Sequence, residues 1–366
     1  MEHGTIEGVI ADDSDALPRP EFDYDYSLSF PKILHKLGIS LAVTTYQAGC
    51  LCIISSNGID VSANVRNYRK AMGCYPHSQG LLLATENQVL SFKRSQHLIK
   101  SYYPLESYDE LYVPRIAYFT GNIASHDVLL TNEQALVVSS AYSCIGGLSS
   151  DHSFVPLWKP HFITELTGED RCHLNGLALE DGRIRYVTAL GATNSRGGWR
   201  ENRATGGIVM DVEHNCIICE GLSMPHSPRV YENLLWVLSS GTGELGIVNS
   251  LGFEPMIYLP GFLRGLAFFG PYAFVGLSKI REKSTFGGLQ IEEKVQDLKC
   301  SVEVVNIHTG TWEASLEFHS NIAELYDIQV ITHARNPFIT GYSQKGDLQQ
   351  LVDLPLFNPL VQQVNG

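Results

Sequence analysis

The sequence predicts an all-β fold, a single β-propeller of six or seven blades around a central channel. Two observations carry this prediction: a strand pattern that recurs at about the length of one blade, and 33 Gly and 16 Pro among 366 residues, which indicate many turns. A hydrophobic content of 44% is enough for a large core. Chain length alone would suggest about two domains, but closed all-β folds often run longer as one unit.

Five segments repeat one pattern, in which a polar or Met residue begins a short run, a turn follows, and an apolar strand ends in small hydroxyl residues or Gly. They are MGCYPHSQGLLLAT, HDVLLTNEQALVVSS, HLNGLALEDGRIRYVTAL, HSPRVYENLLWVLSSG and RGLAFFGPYAFVGLS. In four of them the first residue lies 11 positions before an equivalent Leu or Val. In the third, His173 and Val187 are 14 apart, which we attribute to a longer hairpin tip at EDGR. The first residues follow one another at intervals of 54, 47, 53 and 38, close to the roughly 40–50 residues of a four-stranded blade.

The rest of the chain supplies further blade elements. GISLAVTTYQAGCLCIIS (38–55) predicts a strand, a turn and a strand, SVEVVNIHTGTWEASLEF (301–318) an outer hairpin, and ELYDIQVI (324–331) one more inner strand. PKILHKLGI (31–39) is the best candidate for a short helix. We therefore expect a flexible acidic N-terminal segment (1–21), a propeller domain (22–350) and a C-terminal tail (351–366). An open β-sandwich or a two-domain β protein is the alternative to the ring.

Composition narrows the classes of function and location. The net charge of −13 argues against a nucleic-acid partner, since such binding depends on clustered Lys and Arg. The acidic start MEHGTIEGVIADDSDALPRPEFDYDYS has neither the basic residues nor the apolar run of a secretory signal peptide. No apolar run is long enough to span a membrane. We therefore expect a cytoplasmic protein with no membrane partner and eight reduced cysteines. Cys216 and Cys219 have the CxxC spacing but lie on an apolar strand, in which residues three apart point to opposite faces, so the two thiols are separated.

Residues at the start of inner strands converge on the channel of a propeller. The residues at these positions are His126 with Asp127, His173 with Asn175, His226, Arg264, Asp327 and the apolar Met72. Three histidines could hold Zn²⁺ or Fe²⁺ and leave a position open for water or substrate, with the two aspartates orienting the imidazoles. Alternatively, the histidines seal the channel by hydrogen bonding to neighbouring loops. A third interpretation is metal-free, with one histidine as general base and Arg264 binding a carboxylate or stabilising an oxyanion.

Residues near the ends of inner strands and one long loop extend this candidate site. Tyr46, Tyr142 and Arg281 follow inner strands in TTYQAG, SSAYSC and LSKIRE, although packing is an equally good interpretation. The segment 189–207 is longer and more polar than a hairpin needs. It could fold over the channel mouth and present Trp199 and Arg200 to an anionic or planar ligand, or it could be a solvated connector.

Four phrases carry a resemblance to a known family. SLSFPKILHKLGISLAVTTYQAG, EDRCHLNGLALEDGRIRYVTALG, GLSMPHSPRVYENLLWVLSSGTGEL and LPGFLRGLAFFGPYAFVGLSKIRE resemble a family of bacterial conserved hypothetical proteins of unknown function, over most of residues 22–331. HLNGLALEDGRIRYVTAL also resembles one strand pair of the six-bladed gluconolactonase and strictosidine-synthase-like propellers. That second resemblance implies a metal at the propeller axis with Asn175 at the position of a ligand, but the acidic ligands of those enzymes have no clear counterpart here.

These observations favour a small-molecule biosynthetic enzyme. The expected site is the channel mouth, and the expected reaction is that of a lyase, isomerase, cyclase or hydrolase using the histidines with or without a divalent metal. The alternative is a non-catalytic propeller that binds a peptide, a glycan or a partner protein on its top face. Three convergent histidines and an arginine favour the enzyme, whereas aromatic top loops alone would favour the binding protein.

Overall fold

The computed structural model describes residues 2–5, 23–101, 107–131, 134–280, 287–319 and 322–341. In chain order its strands are β1 (Glu2–Thr5), β2 (Asp23–Tyr26), β3 (Ser40–Thr45), β4 (Cys50–Ser56), β5 (Val61–Asn67), β6 (Cys74–His77), β7 (Gly80–Ala84), β8 (Gln88–Arg94), β9 (Glu110–Phe119), β10 (Ser125–Thr131), β11 (Gln134–Ser139), β12 (Cys144–Gly147), β13 (Val155–Trp158), β14 (Leu174–Glu180), β15 (Arg183–Ala189), β16 (Gly207–Asp211), β17 (Cys216–Leu222), β18 (Pro225–Tyr231), β19 (Leu234–Ser239), β20 (Glu244–Asn249), β21 (Gly252–Tyr258), β22 (Phe262–Phe269), β23 (Tyr272–Ser278), β24 (Cys300–Asn306), β25 (Thr311–Phe318), β26 (Asp327–Ile331) and β27 (Pro337–Ile339). The helices are α1 (Ser29–Leu37), α2 (Gln96–Ser101), α3 (Gln290–Lys294) and a 3-10 helix (Gly198–Asn202).

The strands form six sheets, which are the blades of a six-bladed β-propeller. The pairings between the described strands are antiparallel except that of β27, which pairs parallel with β9 at the outer edge of its sheet. Blade I is β26-β3-β4-β5, blade II is β6-β7-β8-β9, blade III is β10-β11-β12-β13, blade IV is β14-β15-β16-β17, blade V is β18-β19-β20-β21 and blade VI is β22-β23-β24-β25. The first strand named in each blade lies innermost, and each innermost strand contacts those of both neighbouring blades. The predicted propeller is therefore confirmed, with six blades.

A strand from late in the chain closes the ring. The innermost strand of blade I is β26, which pairs antiparallel with β3, so that Asp327 lies opposite Thr44 and Ile331 opposite Ser40. The early strand β2 extends the outer edge of blade VI by pairing with β25, and β1 pairs with β2 in turn. Closure thus joins the two ends of the described chain to the same ring, and the inner edges of the six sheets face the channel as short, protected edges.

Blade faces are apolar because neighbouring blades pack on each other. Between blades I and II, for example, Leu51 and Ile53 pack with Leu81 and Phe92, and all four side chains are fully buried. Each such side chain contributes about 1.5–3 kcal/mol of transfer free energy. Strands buried on both faces read as continuous apolar runs, which is why CLCIIS and GLLLA lack a polar–apolar alternation.

The predicted short helix is present as α1. Its buried residues Phe30, Ile33 and Leu34 follow helical spacing, and they face the adjoining blades I and VI. The helix ends at Gly38, whose φ of 70° places it in the left-handed region that glycine adopts without strain. The helix therefore covers the region where β2 and β3 enter the ring.

The hairpin between β14 and β15 differs from the expected long tip. Its tip contains only two residues, Asp181 and Gly182, both with positive φ (51° and 74°), as a tight hairpin turn requires. The longer spacing in this repeat includes a register shift between Ala178 and Leu179, a β-bulge. The prediction of a longer tip is wrong. An extra residue within a strand increases the spacing of a repeat just as a longer turn would, and the sequence does not distinguish the two.

The strand register also changes which residues are equivalent. Equivalent pairs on the first two strands are Ser125 with Ser139, Leu174 with Ala189, and Pro225 with Ser239. The residues next in sequence after Ser125, Leu174 and Pro225 are His126, Asn175 and His226, and these three are therefore structurally equivalent. His173 lies two positions before Asn175, just outside β14 and with a positive φ of 51°. The prediction that His173 is equivalent to the other two histidines is corrected in this respect.

Several further expectations concern cysteines and termini. All eight cysteines are free, and seven are buried, whereas Cys216 is exposed and points away from the buried Cys219 on the same strand. No helix in the described ranges is long and apolar enough to cross a membrane. Of the predicted N-terminal segment only Glu2–Thr5 is described, as β1. The predicted tail (351–366) lies outside the described residues.

Candidate active site

A cavity of about 410 Å³ opens at the end of the channel where the inner strands begin. Residues at or just before the start of five inner strands line it, together with loop residues above them. The lining residues are Tyr46, Lys70, Met72, Glu86, Asn122, Ala124, His126, Ser140, His173, Trp199, Arg200, Phe262, Arg264, Ser278, Lys279, Ile280, Glu324 and Tyr326. Its volume falls within the range of about 300–1,000 Å³ typical of small-molecule sites.

The three predicted histidines converge, although they come from three blades. The ring centre of His126 lies 5.5 Å from that of His173 and 5.6 Å from that of His226, so His126 is in the middle. His126 and His173 line the cavity, whereas His226 lies beneath it. The convergence expected from the repeats is therefore present, but the three imidazoles have different surroundings.

His126 is a buried imidazole that contacts the guanidinium of Arg264. Its Nε2 accepts a hydrogen bond from Arg264, 3.2 Å away. Burial, followed by the nearby Arg264 charge, holds the pKa of His126 well below its usual range. The ring therefore holds Arg264 in place and is poorly suited to accept a proton.

His226 is anchored from below in a similar way. Its Nδ1 lies 2.9 Å from the carbonyl oxygen of Met224 and 3.0 Å from Oγ of Ser240. A carbonyl oxygen only accepts, so Nδ1 carries the proton. Burial, with a smaller contribution from the charge of Arg264, holds the pKa of His226 well below its usual range. His226 supports the floor of the cavity as a neutral ring.

His173 differs because a carboxylate orients it. Its Nδ1 lies 2.8 Å from Oδ1 of Asp170, which as an acceptor fixes a proton on Nδ1, so that in the neutral form of the ring Nε2 carries the lone pair. Trp199 packs against the imidazole with ring centres 4.7 Å apart, and its Nε1 donates to the other oxygen of Asp170 at 3.0 Å. Arg200 pairs with that same oxygen at 3.3 Å. Asp170 thus joins the imidazole to the loop above it.

Asp170 is a functional candidate that the sequence reasoning missed. It lies in the connection before β14, outside every repeat, and its one sequence signal is its position three residues before His173. Both residues have φ of 51°, a conformation that costs free energy in non-glycine residues. Such strain is most often retained where the surrounding structure fixes a functional geometry, which supports a role for this pair.

Arg264 is the buried cation of the cavity. It pairs with Glu324 at 2.7 Å, contacts His126, and its guanidinium carbon lies 3.8 Å from the ring centre of Tyr326. The residue is only 7% exposed. Its Nε has no hydrogen-bond acceptor among the described residues. The guanidinium is therefore held rigidly and still has a buried donor to offer.

The loop over the mouth contributes the predicted aromatic residue. Within 189–207, the 3-10 helix places Trp199 at 1% exposure against His173, and Arg200 lies over the indole at 4.3 Å. Gly197, with φ of 57°, begins this helix in a conformation that glycine adopts readily. The segment thus brings Trp199 and Arg200 to the cavity wall, whereas many of its other residues are exposed to solvent.

The remaining predicted residues divide into two groups. Tyr46 lines the cavity and stacks on Tyr326 with ring centres 5.6 Å apart. Tyr142 is not brought to the cavity, because it lies beyond β11 and packs on Phe154. Arg281 lies outside the described residues.

Below the histidines, a charged cluster closes the channel. Arg229 lies 3.8 Å from Asp127 and 3.6 Å from Asp327, around a space of only about 10 Å³. Each aspartate accepts from a backbone amide of the next blade: Asp127 from Leu177, and Asp327 from Cys74. These hydrogen bonds join neighbouring blades. The prediction that the two aspartates orient the imidazoles is therefore not met by their hydrogen bonds.

Asn175 also links blades. Its Oδ1 accepts from the hydroxyl of Thr188 at 2.6 Å, and its Nδ2 donates to the carbonyl oxygen of Pro225 at 2.9 Å. The first bond holds β14 to β15, and the second joins blade IV to blade V. The resemblance to the lactonases implied that Asn175 is a metal ligand. In the structure its amide instead fixes the positions of the inner strands.

The donors around His126 fit a three-histidine metal site poorly. A metal at His126 would have to displace the Arg264 guanidinium from Nε2, which places a fixed positive charge beside the ion. Across the described ranges, no group of three or more His, Cys, Asp or Glu has an arrangement that could hold a metal ion. The zinc or iron site stays a prediction, and the geometry favours the metal-free interpretation.

Solved structures that resemble the chain do so at low sequence identity. A chain of a nidogen/laminin complex is 10% identical, with a TM-score of 0.47, 80% of this chain covered and 98% of the other. A catalytically inactive variant of virginiamycin B lyase from Staphylococcus aureus with quinupristin is 10% identical, with a TM-score of 0.41 and 81% and 99% covered. A gluconolactonase from Xanthomonas campestris is 10% identical, with a TM-score of 0.39 and 76% and 95% covered.

The family assignment rests on a different comparison. No curated protein matches the chain significantly. A family model described as a domain of unknown function, DUF4915, matches residues 28–340, which include all six blades and the cavity. The chain belongs to this family of domains of unknown function.

Proposed function

We propose that this protein is a small-molecule enzyme of the lyase or isomerase type that uses acid–base chemistry at the channel mouth. The observation that carries the proposal is the Asp170–His173 pair, which fixes the imidazole tautomer at the wall of a cavity that also contains Arg264. A carboxylate that holds Nδ1–H leaves Nε2 able to accept a proton from a bound substrate.

The proposed step is proton abstraction next to a carbonyl or carboxylate. Nε2 of His173 takes the proton as the C–H bond breaks, and the electron pair moves onto the substrate oxygen. The Arg264 guanidinium stabilises the negative charge that develops there, which a fixed donor does better in a cavity than in water. Return of the proton at another atom gives an isomerase, and departure of a leaving group gives a lyase.

The surrounding residues support these two roles. Trp199 covers one side of the imidazole and its indole N–H donates to Asp170, so the base is covered on that side and held in orientation. His126 and Glu324 hold the guanidinium from two sides. Preorganised donors of this kind need no rearrangement when charge develops.

The alternative, a non-catalytic propeller that binds a macromolecule on its top face, has less support. The aromatic side chain expected on the top loop, Trp199, is buried and turned inward to the cavity. A recess of about 410 Å³ suits a small molecule better than a peptide or protein surface.

Proton exchange tests the proposal whatever product the reaction gives. The protein is incubated in D₂O with a library of small metabolites, and NMR records which C–H signals it removes. We expect the wild-type protein to exchange one C–H of a substrate. His173→Asn should slow this exchange by about 10²–10⁴-fold, and Asp170→Asn should slow it to a smaller degree. His214→Asn is the matched control, because His214 forms the same Asp-x-x-His pair with Asp211 at 3.1 Å outside the cavity.

Two results would overturn the proposal. One is a library in which no compound is exchanged or converted by the wild-type protein. The other is exchange that survives His173→Asn at the wild-type rate. Unchanged thermal unfolding of His173→Asn and His214→Asn would show that a loss of activity comes from chemistry and not from the fold.

A further inference from the structure

The charge of the cavity wall is opposite to that of the whole protein. Among the described residues, four basic ones line the cavity, Lys70, Arg200, Arg264 and Lys279, against two acidic ones, Glu86 and Glu324. The protein as a whole carries a net charge of −13. Basic residues are scarce in this chain, so their gathering at one recess raises the local potential for an anionic ligand.

One of these cations is buried and has an unused donor. Arg264 is 7% exposed, and Glu324 and His126 occupy its terminal nitrogens at 2.7 and 3.2 Å. Its Nε–H has no acceptor among the described residues, although a buried donor without a partner costs about 1–3 kcal/mol. A ligand oxygen placed there would recover this cost, and an anionic oxygen would recover more than a neutral one.

The ring stacked on Arg264 limits where such a ligand can approach. Tyr326 covers one face of the guanidinium at 3.8 Å, so an acceptor must come to its edge, in the plane where the N–H bonds point. Planar carboxylates bind guanidinium groups in this plane. His126 separates Arg264 from His173 and contacts both, which places the edge and the proposed base on the same wall of the cavity.

We propose that the cavity selects small organic carboxylates, with the carboxylate at the Nε edge of Arg264 and the adjoining carbon skeleton toward His173. This inference rests on the proposed function for its orientation, since it gives the substrate class of the same site. The carboxylate is then the group whose oxygen receives the electron pair when the neighbouring C–H loses its proton to Nε2 of His173.

Binding of matched fragments tests the inference separately from catalysis. The probes are aromatic and aliphatic carboxylates, such as benzoate, phenylacetate and hexanoate, each paired with its primary amide, and binding to the full chain is measured by ligand-observed NMR and calorimetry. We expect the carboxylates to bind at least about tenfold more tightly than their amides, because a hydrogen bond to a charged group is stronger than one between neutral groups.

Variants identify the residue responsible. Arg264→Gln is expected to abolish the preference for carboxylates, and Arg183→Gln, on an exposed hairpin position, to leave it unchanged. Because Arg264→Gln removes the buried cation that pairs with Glu324 and could unfold the protein, the double variant Arg264→Gln with Glu324→Gln removes both charges together. The double variant is also expected to lose the preference.

The outcomes separate the two proposals. Equal binding of acids and amides, an absence of carboxylate binding, or a preference that survives in the double variant would overturn this inference. Carboxylate selection through Arg264 without any proton exchange would overturn the proposed function and leave this inference standing. Proton exchange confined to neutral or cationic compounds would overturn this inference and leave the proposed function standing.

Discussion

Arg229 joins its own blade to four others across the closed end of the channel, which gives a prediction for stability. It extends from blade V, and its guanidinium donates to the carbonyl oxygens of Leu266 in blade VI and Leu177 in blade IV, at 3.0 and 3.3 Å. It also lies within 4 Å of the carboxylates of Asp127 in blade III and Asp327 in blade I. We predict that Arg229→Met, which keeps a similar volume, destabilises the protein strongly.

The magnitude follows from what the substitution leaves behind. Two buried carboxylates lose the cation between them, and removing one partner of a buried ion pair costs about 3–5 kcal/mol. For a chain of 366 residues, an unfolding entropy of about 2.1 cal/mol/K per residue converts this into a fall in Tm of roughly 4–7 °C. An exposed ion pair contributes about 0–1 kcal/mol, so the two cases are readily separated.

The pH dependence of the deficit identifies its cause. Burial raises the pKa of both Asp127 and Asp327, and the charge of Arg229 opposes that rise. A carboxyl group whose pKa is higher in the folded than in the unfolded state binds more protons when folded, so stability falls as pH rises above the unfolded pKa of about 3.9. Without Arg229 the folded pKa values rise further. The deficit of Arg229→Met should therefore be largest near neutral pH and shrink as the pH falls toward about 4.

Denaturant unfolding of wild type and variant at about pH 5 and about pH 8 measures this difference. Lys299→Met is the control, since it removes an exposed ion pair with Glu317 on blade VI. Adding Asp327→Asn to Arg229→Met should restore part of the stability at the higher pH by removing one uncompensated charge. Wild-type stability of Arg229→Met at both pH values, or a deficit independent of pH, would refute this account of the cluster.

Two further predictions concern ring closure and a second buried carboxyl group. Ile328→Ala should lower the unfolding free energy by about 2–5 kcal/mol, because this fully buried residue lies on the strand that closes blade I. The control Ile59→Ala, at a residue that is 72% exposed, should change the unfolding free energy by less than about 0.5 kcal/mol. Similar values for the two variants in denaturant unfolding would contradict this packing. Burial raises the pKa of Glu303 from 4.5 to about 7, so the wild type loses stability as pH rises through this window. Glu303→Gln should remove that loss, which scanning calorimetry across the window will show as a flatter dependence of Tm on pH, and an unchanged dependence would argue against it.

The propeller could be predicted because its inner hairpins are encoded locally. Apolar strands ending in small residues recur along the chain, and even the closing strand was recognisable in ELYDIQVI. The number of blades could not be fixed, because outer strands such as β13 and β21 are exposed and vary in pattern. Which strand pairs with β3 is a contact between distant parts of the chain, and no local pattern encodes it.

The candidate site was predictable where it repeats and not where it depends on connections. The convergence of His126, His173 and His226 was predicted from repeat positions, although His173 lies two residues before Asn175, which is the residue equivalent to the other two histidines. Asp170 comes from an irregular segment, and Arg229 from the middle of a strand. Their importance lies in distances across the channel, which one sequence cannot show.

The tautomer of His173 shows directly whether Asp170 prepares this ring to act as a base, and it is observed by ¹⁵N NMR on protein labelled at histidine, with His173→Asn used to assign the signal. We predict that the neutral ring is protonated at Nδ1, held by Asp170, with an unprotonated Nε2 whose signal moves when a substrate identified by proton exchange is added. Asp170→Asn should disturb that tautomer. A ring protonated at Nε2, or an Nε2 signal that the substrate leaves unchanged, would contradict the claim that this pair supplies the base of the site.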